Sequence, residues 1–205
     1  MKTKLFLTSF LFTFISMSAQ NFSYGALLGY NGYDIEIDGP LSSGGAVSGL
    51  NIGGFGEYKL NNRFGIRGNI IYSKVQEDDY YLVVNGQGYG KFLDKTELNT
   101  LQIHTLVKLD VRRTYNKGFY LISGFRMTNI LEAKSDGDDI KDFYESPTFG
   151  FMFGFGVNFA KHFGLELIPE TNITNTLDSD NNNAKNYGAY ANLTINLESI
   201  FKKKV

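Results

Sequence analysis

The chain has 205 residues, a formal net charge of −1, no cysteine and no tryptophan, against 18 Phe, 13 Tyr and 23 Gly. The near-neutral charge argues against nucleic acid as a partner, and the lack of cysteine excludes disulfides, thiol nucleophiles and an amino-terminal lipoprotein anchor. An aromatic and glycine-rich balance of this kind suits strands joined by tight turns.

The first residues form a secretory leader: Lys2 and Lys4, an apolar run from Leu5 to Met17, then Ser16-Met17-Ser18-Ala19-Gln20. Cleavage is expected after Ala19, giving a signal peptide over 1–19, a single barrel domain over 20–201 and a basic tail over 202–205. No later segment approaches the roughly 18 consecutive apolar residues of a spanning helix. A membrane form of this chain must therefore be a closed barrel.

Period-two patterning between turn signals predicts eight strands, over residues 22–33, 46–59, 63–75, 97–111, 118–130, 147–160, 163–173 and 187–198. Connections after the second, fourth and sixth are short: Leu60-Asn61-Asn62, Arg112 to Lys117, and Lys161-His162. The other connections are long. An even strand number with alternating short and long links is the pattern of an eight-stranded antiparallel up-and-down transmembrane barrel with periplasmic turns and extracellular loops. Charge divides the same way. Of the 21 acidic residues, 15 fall in the four long links as drawn, from Asp34, Glu36 and Asp38 through Glu77, Asp78, Asp79 and Asp94 to Glu132, Asp136, Asp138, Asp139, Asp142, Glu145, Asp178 and Asp180. The short turns hold Lys59, Arg63, Arg112, Arg113, Lys117 and Lys161 and no acid.

Each strand has two faces. The sixth puts Phe149, Phe151, Phe153, Phe155, Val157 and Phe159 on one side and Gly150, Met152, Gly154, Gly156 and Asn158 on the other. Bulky residues on the outer register meet lipid: these phenylalanines, with Phe64, Ile66, Ile70 and Tyr72, Leu101, Ile103 and Val107, Phe119, Leu121, Phe125 and Met127, and Tyr187, Leu193, Ile195 and Leu197. The opposite register collects Glu57, Arg67, Asn69, His104, Lys108, Asp110, Arg126, Glu166, Glu170, Asn172, Asn192, Thr194 and Asn196. An eight-stranded interior is just wide enough for side chains. Both charge signs occur there, so a lumen network of Glu57, Arg67, His104, Lys108, Arg126, Glu166 and Glu170 is expected, with Arg67 and Arg126 paired to Glu57, Glu166 and Glu170.

Signals for chemistry are weak. His104 belongs to the inner register near Lys108, and His162 lies in a short turn with no evident serine partner; a lipid hydrolase would need a serine, histidine and acid together. Asp136-Gly137-Asp138-Asp139 with Asp142, and Asp178-Ser179-Asp180, cluster carboxylates without the spacing of a calcium-binding hand. No catalytic residue, metal ligand or cofactor is assigned. A secreted soluble calyx with an apolar ligand, a small-solute pore and a lipid hydrolase stand as alternatives to a non-enzymatic membrane barrel.

The mature start Asn21-Phe22-Ser23-Tyr24-Gly25, the segment Gly53-Gly54-Phe55-Gly56-Glu57-Tyr58 and Gly154-Phe155-Gly156-Val157 resemble the small outer-membrane β-barrel domain proteins often labelled PorT-like or porin family. The resemblance implies an integral outer-membrane protein of a Gram-negative cell, with a structural, surface-recognition or secretion and assembly role. Implied partners are outer-membrane lipid and glycolipid, the barrel-assembly machinery, and a secretion-complex or surface partner. The ending departs from the usual terminal aromatic, since Phe201 is followed by Lys202-Lys203-Lys204-Val205.

Overall fold

A computed structural model describes residues 21–37, 47–77, 80–84, 89–93, 96–112, 114–177 and 184–201. The expected signal peptide, the basic tail, Arg113 and the Asp178-Ser179-Asp180 cluster lie outside the described residues.

Eight long strands follow one another round a closed sheet: β1 (Phe22–Ile37), β2 (Val47–Lys59), β3 (Phe64–Glu77), β6 (Thr96–Asp110), β7 (Gly118–Ser135), β9 (Thr148–Phe159), β10 (Phe163–Asn172) and β11 (Ala184–Asn196). Each pairs antiparallel with the next, and β11 returns to β1 over the register Gly25↔Asn196 to Ile37↔Ala184. This is an up-and-down barrel without a free edge. The second long link carries a separate hairpin, β4 (Tyr80–Val84) with β5 (Tyr89–Leu93), and the third adds a two-residue strand β8 (Asp138–Asp139) on β7.

The ladder runs further than periodicity indicates at the long-loop end. Asp34 and Glu36 belong to β1, Glu77 to β3 and Glu132 to β7, so these acids stand on strand extensions and not in loops. In β7 a bulge makes this possible. Asn99 faces Glu132 while Thr100 faces Ile130, leaving Leu131 without a partner, and the extra residue resets the alternation so that Ala133 and Ser135 turn inward.

At the other end β11 stops earlier than expected. Asn196 Oδ1 accepts the Ser199 N–H at 2.9 Å, which is an N-cap, and Leu197–Phe201 form a short helix. Leu197 is therefore helical and not an outward strand residue. Tight turns at this end use left-handed backbone at Asn116 (φ 58), Ala160 (φ 45) and Lys161 (φ 63).

The interior is layered. Leu106, Tyr120, Ile122, Met152, Ile168 and Tyr190 pack near its middle. Ile35, Val75, Leu98, Ile130, Ala133 and Ala184 from the strands meet Ile140, Tyr144 and Leu177 from the third and fourth long links, forming an apolar cluster at the long-loop end. Those links are tied together by a Tyr144↔Leu177 bridge and by the Glu145 N–H donating to Thr176 O at 3.0 Å.

Candidate functional site

All seven residues of the expected lumen network are buried, as is Asp110 on the same register. They form three tiers along the barrel. Nearest the short turns, Glu57 of β2 and Arg67 of β3 are cross-strand neighbours, yet their charges go elsewhere. Arg67 Nη1 reaches across to Glu166 of β10 at 2.5 Å, its Nε donates to Asn69 Oδ1 at 3.0 Å, and its guanidinium lies 4.2 Å from the centre of the Phe55 ring. Lys108 of β6 takes Glu57 at 3.2 Å and also donates to Asn116 Oδ1 in the following turn. Tyr120 of β7 joins the two pairs: its hydroxyl donates to Glu166 Oε1 at 2.6 Å and its ring lies 4.4 Å from Lys108 Nζ.

The middle tier is neutral. Tyr190 donates to Gln102 Oε1 at 3.0 Å, and His104 Nε2 lies 3.3 Å from the same oxygen while its ring packs edge-on against Tyr190 at 5.5 Å. In the upper tier Arg126 of β7 pairs with Glu170 of β10 at 2.7 Å, donates to Thr128 Oγ1 at 2.8 Å and also bonds Asn172. Asn172, Thr176 and Asn186 extend this chain of hydrogen bonds towards the long loops.

Residues overlooked by the charge pattern complete the tiers. Phe55, Gln102, Tyr120 and Tyr190 share the inner register, and their even spacing from Glu57, His104, Arg126 and Asn192 on the same strands was the available signal. Tyr115, in the turn after β6, lies 5.0 Å from Lys108 Nζ at the mouth. Burial, and after it the Glu57 carboxylate, push the Tyr115 phenol well above its ordinary range, so it stays neutral.

His162 does have a serine partner, contrary to expectation: its Nδ1 lies 2.6 Å from Ser199 Oγ. The sequence hides this contact because Ser199 is brought there by the terminal helix. Ser199 Oγ donates to Asn196 O at 2.9 Å, so the hydroxyl proton is committed to the helix cap and the imidazole supplies the second proton. Such an arrangement anchors the helix to the turn. Among the described residues, no three of His, Asp and Glu come close enough to hold a metal ion.

On the outside, Phe149, Phe151, Phe153, Phe155 and Phe159 are 40–54% exposed. Their rings continue onto neighbouring strands, Phe155 against Phe119 at 5.7 Å, Phe151 against Phe125 at 5.9 Å and Phe159 against Phe163 at 6.1 Å. A band of apolar side chains surrounds an interior in which ion-paired residues are interleaved with two apolar clusters.

The profile of the family described as "Outer membrane protein beta-barrel domain" matches residues 18–178. The chain belongs to this family. Solved structures of the same fold include Ail, the attachment invasion locus protein of Yersinia pestis, in complex with the heparin analogue sucrose octasulfate. It is 13% identical over 86% of this chain and 99% of its own, with a TM-score of 0.51. OprG from Pseudomonas aeruginosa is 14% identical over 85% and 91%, with a TM-score of 0.43. Neisserial surface protein A is 11% identical over 83% and 96%, with a TM-score of 0.47. No curated protein matches the sequence significantly. Membership of the outer-membrane barrel family places this eight-stranded chain in the outer membrane.

Proposed function

We propose that this outer-membrane barrel is a closed, non-enzymatic scaffold that displays an acidic surface for recognition. The observation that carries the proposal is the set of three ion pairs, Arg67–Glu166, Lys108–Glu57 and Arg126–Glu170, lodged at two levels of a narrow interior. Removing either member of such a pair leaves an uncompensated buried charge, so the pairs hold each other in place. The apolar cluster built by Ile140, Tyr144 and Leu177 covers the upper tier. The polarity also opposes a calyx, which would have an apolar interior and a polar outside.

With short turns in the periplasm and long links outside, the cell surface receives the strand-borne acids Asp34 and Glu132 together with Asp136, Asp138, Asp139, Asp142 and Glu145. Ail was solved with a polysulfated sugar. An acidic crown would repel that class of ligand, and basic surfaces suit it better.

Planar-bilayer recording tests closure. The folded protein is expected to give no stable conductance steps, while Arg126→Ala with Glu170→Ala, which empties the upper tier, gives small ones. Stable ohmic steps from the unaltered protein would overturn the closed reading.

A further inference from the structure

The periplasmic mouth of the barrel contains a cavity of about 30 Å³ lined by Glu57, Arg67, Lys108, Asn158, Lys161 and His162, among others. Arg67 is only 2% exposed, and its Nη2 has no hydrogen-bond partner. Asn158 Nδ2 is also unpartnered. Within the cavity lining, both Glu57 oxygens and Asn116 Oδ1 are engaged by Lys108, and Asn196 Oδ1 by the Ser199 N–H; the unpartnered Asp110 carboxylate is buried at the same end but does not line the cavity. A cavity with surplus donors and occupied acceptors favours a ligand that only accepts. A water molecule would bring two protons of its own, whereas an ionised carboxylate brings none.

Long-range charge points the same way. With Glu57 and Glu166 at that end balanced by their partners Lys108 and Arg67, Lys59, Arg63, Arg112, Lys117 and Lys161 belong to the mouth against Asp110 and Glu198. A cationic rim of this kind concentrates anions at the opening. We propose that the periplasmic mouth binds one small carboxylate, held by Arg67 Nη2, Asn158 Nδ2 and Lys161 Nζ. The volume admits a carboxylate head and excludes bulky substituents next to it. The site does not depend on whether the lumen conducts.

The test is NMR titration of the whole barrel in detergent micelles with acetate, holding ionic strength constant with pivalate, which has the same charge and a bulkier body. Saturable shifts of the Asn158 side-chain amide and the Gly164 amide are expected with acetate. Lys161→Asn and Asn158→Ser should each weaken binding about fivefold to tenfold, the order expected for one charge-assisted hydrogen bond. Lys161 lies in an exposed turn at φ 63, a conformation Asn tolerates, so that variant keeps the test sound if Asn158→Ser misfolds. Linear shifts equal for acetate and pivalate, or unchanged affinity in both variants, would overturn the site and leave it to water. A short peptide ending in glycine, whose carboxylate is attached to an unbranched CH2 as in acetate, is then compared with its carboxy-terminal amide. Tighter saturation by the free acid supports the proposal with a chain terminus as ligand, and saturation by acetate alone supports it with a free metabolite anion.

Discussion

Arg67 and Glu166 meet at 2.5 Å across the barrel interior although 99 residues separate them in sequence, and Tyr120 donates to the same carboxylate oxygen. Replacing Glu166 by Leu strands the guanidinium in a buried site, at an expected cost of about 3–5 kcal/mol. Adding Arg67→Met removes the stranded charge. The double variant should then recover most of that loss, as buried pairs replaced by apolar residues of similar volume often do. Urea unfolding in micelles followed by circular dichroism reads both, and equal losses for the single and double variants would argue against a mutually dependent pair.

The outward phenylalanines of β9 make a depth-dependent prediction. Phe153 lies at the middle of a 12-residue strand and Phe159 at its short-turn end. Arg at the bilayer midplane costs about 2–4 kcal/mol and near the interface about 0–1. Phe153→Arg should therefore block folding into bilayers while Phe159→Arg folds almost normally, scored by the shift between unheated and boiled samples in SDS gels. Equal behaviour would show that this face does not cross the lipid as assigned.

The strands were legible because all eight carry period-two patterning, and the barrel because short and long links alternate. What escaped has identifiable physical causes. Ladder hydrogen bonding continues through Glu36, Glu77 and Glu132, where side-chain polarity suggests a loop, and the Leu131 bulge restores the alternation that a simple count loses. Parity assigns a side chain to a face but says nothing about reach across the lumen. Glu57 and Arg67 are cross-strand neighbours, yet each bonds a partner on another strand, since Lys108 occupies Glu57 and Glu166 lies within reach of the guanidinium. The His162–Ser199 contact depends on a helix that the strand pattern runs straight through.

Glycine has different consequences on the two faces. A methyl group at inward Gly154 would lie 2.3 Å from Leu167 O and 2.6 Å from Ile168 Cα, both backbone atoms of the neighbouring strand that cannot swing aside. At outward Gly54 the nearest atom is at 3.5 Å, an ordinary contact. Gly154→Ala is expected to destabilise the barrel by about 1–3 kcal/mol through overpacking. Gly54→Ala should stay within about 0.5 kcal/mol of the parent. Matching urea midpoints for the two would contradict a close β9–β10 approach.

The terminal helix has a cap that can be removed without touching the barrel. Asn196 serves two roles, accepting the Ser199 N–H through its side chain and pairing with Gly25 at the end of the β1–β11 ladder. Asn196→Ala keeps the backbone pairing and deletes the cap, worth about 1 kcal/mol. A helix of only five residues cannot sustain itself by its own hydrogen bonds, so its cap acts together with its packing on β1 and the Ser199 to His162 bond. Hydrogen exchange at Ser199 and Ile200 should quicken severalfold, with Leu193 in the strand unchanged. Ser199→Ala should act in the same direction by freeing the imidazole, and the double variant should release the segment to added protease. If Leu193 quickened to the same degree, the helix would be part of the barrel's cooperative unit and not a separately anchored end.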